Sequence, residues 1–152
     1  IMIKKILLIT VFTLLVGQYA SSNIVKIIDG DTIKIGNEKI RFSGIDAPEI
    51  SQDCIKNKKK ILCGVLAKEA LLKKIGNKVP KCISTGKDIY KRILAECFIN
   101  DESLSKFLVR NGYAFAYRKY SKKFIKDEEF AKKNKLGLWS MKFKYPWEFR
   151  KL

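Results

Sequence analysis

The sequence contains no histidine among its 152 residues. Imidazole serves many hydrolases as a general base, a general acid or a metal ligand. All of those mechanisms are therefore excluded, together with zinc sites that contain histidine. Any catalysis by this chain must use carboxylates, arginine, lysine, tyrosine, serine or cysteine, or a metal ion held by oxygen atoms.

Acidic residues are also scarce, because 15 Asp and Glu stand against 32 Lys and Arg, which gives a net charge of +17. A compact domain with this excess repels itself, so the charge favours a polyanionic partner. Nucleic acid, an anionic membrane surface and acidic polysaccharide all qualify, and charge alone does not choose among them. A merely solubilising surface explains the charge equally well.

The sequence shows no linker and no internal repeat, and its N-terminal apolar run at 6–16 is shorter than the roughly 20 residues that a membrane-spanning helix needs. This run follows two lysines and precedes a small-residue segment, a pattern typical of a secretory signal peptide. We therefore expect a leader over residues 1–22, cleaved near 20–22, and one domain over 23–152. The protein is then secreted or periplasmic, whereas an uncleaved leader would anchor it in a membrane.

The four cysteines lack the C-x-x-C spacing of a zinc site. Export favours disulfides, and four cysteines permit three pairings. Cys54 and Cys63 flank a lysine-rich loop, while Cys82 and Cys97 lie on apolar segments on either side of a turn at 86–91. We expect each cysteine to pair with its neighbour in the sequence, whereas four free buried thiols would suit a cytosolic protein.

Apolar periodicity and turn residues predict five strands and three helices. The strands are at 23–29, 31–35, 38–43, 78–84 and 92–99, and the helices are at 64–75, 102–110 and 126–135. This order predicts an α+β protein with a five-stranded OB-fold β-barrel, a helix after the third strand and two C-terminal helices. Such barrels commonly bind oligonucleotides.

Two aspartates lie at the ends of strands in this predicted barrel. Asp31 begins the second strand and Asp46 follows the third, so in a small barrel the two face each other. Two converging carboxylates, with a backbone carbonyl and water, form an open oxygen site for a hard cation such as Ca²⁺. Pro48 keeps Ala47 extended, which would turn the Ala47 carbonyl toward the ion.

Two arginines complete the pattern. Arg41 lies on the polar face of the third strand, beside the aspartates, and Arg92 opens the fifth strand. Guanidinium groups suit phosphate oxygens because their fixed fork donates two hydrogen bonds and stays charged. Each residue alone has an ordinary explanation as a turn or a solvated strand position, so the joint pattern carries the inference.

The joint pattern resembles the signature of the thermonuclease, or staphylococcal nuclease-like, family. The resemblance begins with D-G-D-T at 29–32 and I-R-F-S-G-I-D-A-P-E at 40–49. It continues through 64–71, 88–92, 103–114 and 135–140, and so covers nearly all of the chain after the leader. The four cysteines and P-W-E-F-R at 146–150 resemble a secreted bacterial branch of the family.

The resemblance implies roles for the acidic segment. Asp31 and Asp46 match the family's calcium-binding carboxylates, and Ala47 matches its carbonyl ligand, where the family often has threonine. Glu49 matches the glutamate proposed as general base toward the attacking water, or as a residue that only orders the site.

The resemblance also implies substrate contacts. Arg41 and Arg92 match the pair that binds the scissile phosphate, and Tyr90 and Tyr117 match aromatic positions around the nucleotide, Tyr117 after a one-residue gap. Lys91 stands where the family usually has glycine. If that position has a positive φ, lysine there is strained by roughly 1 kcal/mol.

The function implied by the resemblance is Ca²⁺-dependent hydrolysis of DNA and RNA, with single strands preferred and 3′-phosphate ends produced. We expect a monomer without an obligate protein partner. A catalytically inactive OB-fold protein that binds nucleic acid is the alternative, but the complete set of carboxylates and arginines favours the enzyme. A basic adhesin would explain charge and export, but not the three carboxylates.

Overall fold

The computed structural model describes residues 24–152, and the leader expected at 1–22 lies outside the described residues. In chain order the elements are β1 (Val25–Ile27), β2 (Thr32–Ile35), β3 (Glu38–Phe42), β4 (Ile45–Asp46), β5 (Asp53–Lys56), β6 (Lys59–Leu62), α1 (Cys63–Ile75), β7 (Lys81–Lys87), β8 (Ile93–Ile99), β9 (Glu102–Ser103), α2 (Leu104–Arg110), β10 (Phe115–Ala116), α3 (Ile125–Lys133), a 3-10 helix (Gly137–Ser140) and α4 (Pro146–Phe149). Over residues 24–152, no helix has the length and apolar character that crossing a membrane requires.

The main sheet has the strand order β1-β2-β3-β8-β7, with β9 paired to β8. The first three strands form an antiparallel meander, and β3 then pairs in parallel with β8, with Arg41 opposite Leu94. A separate pair, β4 with β10, lies beside this curled sheet. The predicted α+β class, the OB-type arrangement and the helix between the third strand and the last two long strands are confirmed.

The core forms where the apolar faces of sheet and helices meet. Ile33 and Phe42 are at most 1% exposed on the sheet, and α1 buries Ala67, Leu71 and Ile75, which recur every four residues along one helical face. Removing a fully buried leucine side chain such as that of Leu71 would destabilise the fold by about 2–5 kcal/mol. This packing fixes α1 against the strands that carry the acidic residues.

The hairpin β5–β6 replaces the loop expected between Cys54 and Cys63. Its two-residue turn, Asn57 and Lys58, has φ of 50° and 64°, the left-handed conformation of the turns that favour hairpins. The Asn-Gly or Asp-Gly pair that usually announces such a turn is missing. Lysines also mask the strand alternation, so the sequence pattern indicated a loop.

Both expected disulfides are present. Cys54–Cys63 ties the β5–β6 hairpin to the first residue of α1, and Cys82–Cys97 joins two residues that lie directly opposite each other on β7 and β8. Each crosslink restricts the unfolded chain and stabilises the fold by about 2–4 kcal/mol.

The C-terminal segment, residues 139–152, packs back onto the domain through aromatic rings. Phe115 of β10 is fully buried, and its ring centroid lies 5.0–6.1 Å from those of four aromatic rings. The four are Trp139, Phe143, Tyr145 and Trp147. Offset and edge-to-face pairs of this kind each contribute about 0.5–1.5 kcal/mol beyond burial. The packing therefore places the end of the chain next to β4.

Candidate active site

Asp31 is positioned by the tight turn that joins β1 to β2. The backbone N–H of Asp31 donates to Oδ1 of Asp29 at 3.0 Å, which closes the turn. A Cβ at Gly30 would lie 2.7 Å from the Cβ of Ala67 and 2.8 Å from the Cβ of Ala47. Glycine is therefore needed for the turn to lie between α1 and the segment after β4, and this close approach places Asp31 beside that segment.

The Asp31 carboxylate is 2% exposed and is surrounded by donors. Its Oδ1 accepts from the Thr32 hydroxyl at 3.0 Å and from Nη1 of Arg41, and its Oδ2 accepts from the backbone N–H of Ala47 at 2.7 Å. Burial raises the pKa of Asp31 to about 7, although the charge of Arg41 opposes the rise. Additional positive charge at this position would therefore stabilise the ionised form.

Asp46 lies on β4 and is fully buried. Nη2 of Arg41 donates to Asp46 Oδ1 at 2.7 Å, while Nη1 of the same side chain binds Asp31. Burial opposes the charge of Arg41, but the two aspartates raise its pKa above the ordinary value for arginine. The structure thus brings Asp31, Arg41 and Asp46 together, as the sequence pattern predicts.

Glu49 lies on the loop that follows β4, and its backbone is fixed on two sides. Its N–H donates to Oε1 of Gln52 at 3.3 Å, and its carbonyl accepts from the Gln52 N–H at 2.8 Å. On the other side, a Cβ at Gly64 would lie only 1.8 Å from the Glu49 carbonyl oxygen, so the start of α1 packs directly on the loop. The Glu49 side chain remains 40% exposed, which leaves it accessible to a substrate or to water.

A further residue, Arg150, binds the same carboxylates and was missed by sequence reasoning. Its Nη2 donates to Asp46 Oδ2 at 2.6 Å, and its Nη1 donates to Asp46 Oδ1 at 3.2 Å and to Glu49 Oε1 at 2.8 Å. Arg150 and Asp46 are 104 positions apart in the sequence. The P-W-E-F-R segment, which resembles a family branch, was the signal that could have directed attention to this arginine.

Within residues 24–152, Arg92 forms no ion pair with Asp31 or Asp46. Its Nε donates to Asp88 Oδ2 at 2.7 Å, within the turn that precedes β8. Lys91 in this turn has φ of 63°, so the left-handed conformation that its place in the family pattern suggested is present. Tyr90 is 73% exposed and its ring lies 5.4 Å from the Arg92 guanidinium. The roles of Arg92 and Tyr90 toward a substrate stay predictions.

Tyr117 follows β10 and packs against the C-terminal segment. Its ring is stacked on that of Trp147, with centroids 5.6 Å apart and an interplanar angle of 7°, and its N–H donates to the Gly44 carbonyl at 3.0 Å. Trp147 therefore covers one face of the tyrosine that the family pattern places near the nucleotide. Contact of Tyr117 with a nucleotide stays a prediction.

The acidic side chains fit a cation site that water and substrate complete. No cluster of three or more His, Cys, Asp or Glu side chains with the arrangement of a metal site occurs within residues 24–152. Asp31 and Asp46 share Arg41, and hard cations that take six to eight oxygens accept backbone carbonyls and water beside carboxylates.

Comparison with known proteins identifies the family. A family model described as "Staphylococcal nuclease homologue" matches residues 39–141 of this chain, well over half of it. The chain belongs to the staphylococcal nuclease family.

Relatives of this nuclease occur in bacteria and plants. An "Uncharacterized endonuclease" of Haemophilus influenzae is 33% identical over 150 residues, which cover 90% of this chain and 79% of the relative. The "Succinoglycan biosynthesis protein ExoI" of Rhizobium meliloti is 31% identical, over 74% of this chain and 61% of its own length. The "Probable staphylococcal-like nuclease CAN4" of Oryza sativa is 31% identical, over 74% of this chain and 22% of its own length. This chain thus spans less than two thirds of the length of each of the last two relatives.

Membership in this family establishes the general reaction that the protein catalyses. The protein is a nuclease, a hydrolase of phosphodiester bonds, and nucleic acid is its class of substrate. The family is generally metal-dependent. The buried aspartates held by one arginine, with a half-exposed glutamate beside them, are the residues of this nuclease that suit that chemistry.

Proposed function

We propose that this nuclease is an exported, Ca²⁺-dependent enzyme that hydrolyses DNA and RNA, prefers single strands and leaves 3′-phosphate ends. The observation that carries the proposal is the joint binding of Asp31 and Asp46 by Arg41, because it unites two buried carboxylates with a guanidinium, a group whose geometry suits phosphate. The proposal assigns one site to both the cation and the scissile phosphate.

Asp31, Asp46 and the Ala47 carbonyl would hold the ion. Oxygen donors of this kind suit Ca²⁺, which tolerates an irregular ligand set in which water supplies the remaining positions. When bound, Ca²⁺ supplies positive charge that neutralises the phosphate and orients the attacking water. The hydrogen bond from the Ala47 N–H to Asp31, 2.7 Å long, supports the proposal because it fixes the loop that carries the third ligand against the first.

Glu49 is the residue that assists the attacking water. Its carboxylate is half-exposed and lies within the same hydrogen-bonded network as Asp46, because Arg150 contacts both. A positioned carboxylate that accepts a proton from water contributes about 10²- to 10⁴-fold to the rate. The rigid backbone around Glu49, held by Gln52 and by the start of α1, preserves its position during the reaction.

Arg41 and Arg92 stabilise the charge that develops on the phosphate. Arg41 uses two of its five N–H donors on the aspartates, and guanidinium groups can bind phosphate while they remain ion-paired. The Nε of Arg92 donates to Asp88, in the turn directly before β8. Strand β8 pairs with β3, the strand that carries Arg41. Binding the charged transition state more tightly than the substrate is what raises the rate.

The rest of the chain supports a nucleic-acid substrate and export. Without Lys4 and Lys5 of the leader, the net charge is +15 (17 − 2), which provides sequence-independent attraction to phosphates. Tyr90, 73% exposed, and Tyr117 offer rings for bases that are not paired. Two disulfides suit an oxidising compartment.

Digestion assays test the proposal. The purified protein should degrade single-stranded DNA and RNA in Ca²⁺, and the products should acquire a 5′-label from a kinase without phosphatase treatment, because their phosphate stays on the 3′ end. Excess EGTA should stop cleavage. Undiminished cleavage in EGTA would contradict the metal assignment, and binding of nucleic acid without any cleavage would favour the inactive OB-fold alternative.

A further inference from the structure

The C-terminal segment delivers a second guanidinium to the acidic residues. Arg150 follows α4 and binds both oxygens of Asp46 and one oxygen of Glu49, at 2.6, 3.2 and 2.8 Å. Asp46 is fully buried, so its carboxylate cannot compensate its charge with bulk water. Arg150 therefore supplies positive charge to the carboxylate that would also bind a metal ion.

Arg150 is held in place by the packing of the segment that carries it. The rings of Tyr145 and Trp147 are stacked 4.6 Å apart, and Trp147 stacks in turn on Tyr117. Gln52, which is fully buried, donates from Nε2 to the Lys144 carbonyl at 2.7 Å and so ties the same segment to the Glu49 loop. These contacts place Arg150 at the site as part of the fold.

The charges of the neighbouring side chains favour the bound position of the Arg150 side chain when no metal ion is present. Asp31, Asp46 and Glu49 carry three negative charges when ionised, and Arg41 and Arg150 carry two positive charges. A guanidinium is not deprotonated in proteins, so Arg150 stays charged beside Asp46. Of the two arginines, Arg150 is the more exposed, at 38% against 17% for Arg41, and is the one that can leave toward solvent.

A divalent cation and Arg150 need the same atoms. Both oxygens of Asp46 already accept hydrogen bonds from Arg150, and Oδ1 also accepts from Arg41. A divalent cation bound to one of these oxygens would bring two positive charges close to the guanidinium. Repulsion between them in a poorly solvated site favours one occupant over the other.

We propose that Arg150 is an internal cation that binds Asp46 and Glu49 in the metal-free nuclease and competes with the divalent cation for Asp46. The inference rests on the proposed function in taking Asp46 as a cation ligand. Metal binding is then linked to release of the C-terminal arginine, and the resting site stays ordered without an ion. If Arg150 instead only held Asp46 in the conformation that the cation needs, removal of the arginine would weaken metal binding.

Cation affinity of the substrate-free protein distinguishes these roles. The full chain and its Arg150→Gln variant are titrated with Ca²⁺ in a calorimeter, and with Tb³⁺ as a luminescent substitute. We expect Arg150→Gln to bind Ca²⁺ about 10-fold more tightly, within the usual range for coupled sites. Lys151→Gln is the matched control, because it removes one positive charge from the neighbouring exposed residue and should change the affinity less than twofold.

Two further measurements test the proposal, one of them independently of how well Arg150→Gln folds. Arg150→Lys keeps the charge but loses the bidentate fork, so it should give an intermediate gain in affinity even if the glutamine variant folds poorly. Without Ca²⁺, Arg150→Gln should melt at a lower temperature than the parent, and Ca²⁺ should raise its melting temperature by a larger amount than it raises that of the parent.

Equal or weaker Ca²⁺ binding by both Arg150 variants would overturn the proposal, as would the absence of detectable binding to parent and variants alike. None of these measurements uses nucleic acid. A protein that binds the ion with the expected order of affinities but does not cleave would retain the competition and lose the nuclease proposal. Cleavage that continues undiminished in EGTA would contradict the Ca²⁺-dependent mechanism proposed above, and the binding titrations would still decide the competition.

Discussion

Asp31, in the turn before β2, and Asp46, on β4 of a separate two-stranded sheet, are joined by hydrogen bonds to one guanidinium, that of Arg41. This relationship gives the arginine a structural and a chemical role at once. It neutralises two buried carboxylates in the folded protein, and in the proposed function it would also donate to a phosphate that approaches the same site.

Replacing Arg41 by methionine should therefore affect folding as well as activity. The variant leaves two buried carboxylates with less compensation, so we expect the free energy of unfolding to fall by about 3–5 kcal/mol. Urea denaturation of the cation-free protein measures this. Arg110→Met is the matched control, because Arg110 is 45% exposed in its pair with Asp127 and should contribute less than about 1 kcal/mol. Equal destabilisation by the two variants would contradict the buried role of Arg41.

The pKa of Asp31 predicts an unusual dependence of stability on pH. Its folded value of about 7 exceeds the ordinary 3.8, because burial disfavours the charge. Between these values the folded state binds more protons than the unfolded state, so the contribution of Asp31 to stability is largest below about pH 4 and is lost as the pH rises through 7. In EDTA, the stability of the parent relative to Asp31→Asn should decrease from pH 4 to pH 7 and then level off. A relative stability that rises over this range would contradict the assignment.

Gly30 should be intolerant of even a methyl group. In Gly30→Ala the new Cβ would lie within 2.8 Å of the Cβ atoms of Ala67 and Ala47, so the turn must shift and carry Asp31 with it. We expect a loss of about 1–3 kcal/mol of stability, together with a fall in the cleavage rate measured where the variant is fully folded. Gly36→Ala, where no atom lies within 4 Å but φ is 58°, should lose stability through backbone strain and keep its rate. Equal rates for both variants would show that the turn does not position the site.

The two disulfides should differ in their effect on catalysis. Replacing either pair by alanines should lower the free energy of unfolding by about 2–4 kcal/mol. Only loss of Cys54–Cys63 should also slow cleavage, because Cys63 begins α1 and lies against the carbonyl of Gln52, which holds the Glu49 loop. Denaturation curves and cleavage rates of the two double variants test this difference. A larger fall in rate after loss of Cys82–Cys97 would contradict the proposed support of the loop.

The sequence predicted the parts of the site that local motifs contain. Asp31 and Asp46 stand beside turn residues and strand ends, so their convergence follows from the meander of β1 to β3. Arg150 could not be predicted in the same way, because its partner is 104 positions away and the intervening contacts are aromatic packing without a regular period. For Arg92, the sequence showed where the strand begins but not that Asp88 would bind its side chain.

The same distinction applies to the fold. Apolar patterns predicted α1, β7 and β8 to within three residues. Buried residues repeat along α1 and β8, whereas β7 is exposed along nearly all of its length. The hairpin β5–β6 was predicted as a loop because four of its ten residues at 53–62 are lysines and its turn lacks glycine. Its pairing depends on the disulfide and on contact with Lys142, which are tertiary features.

The central claim, that the buried aspartates form the catalytic site, is tested most directly by the cleavage rate of Asp46→Asn on single-stranded DNA in saturating Ca²⁺. Asp101→Asn is the matched control, because Asp101 is exposed and its φ of 62° is one that asparagine also adopts readily. Loss of a metal-binding carboxylate removes several kcal/mol of transition-state stabilisation, so we expect the rate of Asp46→Asn to fall by about 100-fold or more, with Asp101→Asn unchanged. A folded Asp46→Asn protein that cleaves within about threefold of the parent rate would contradict the claim.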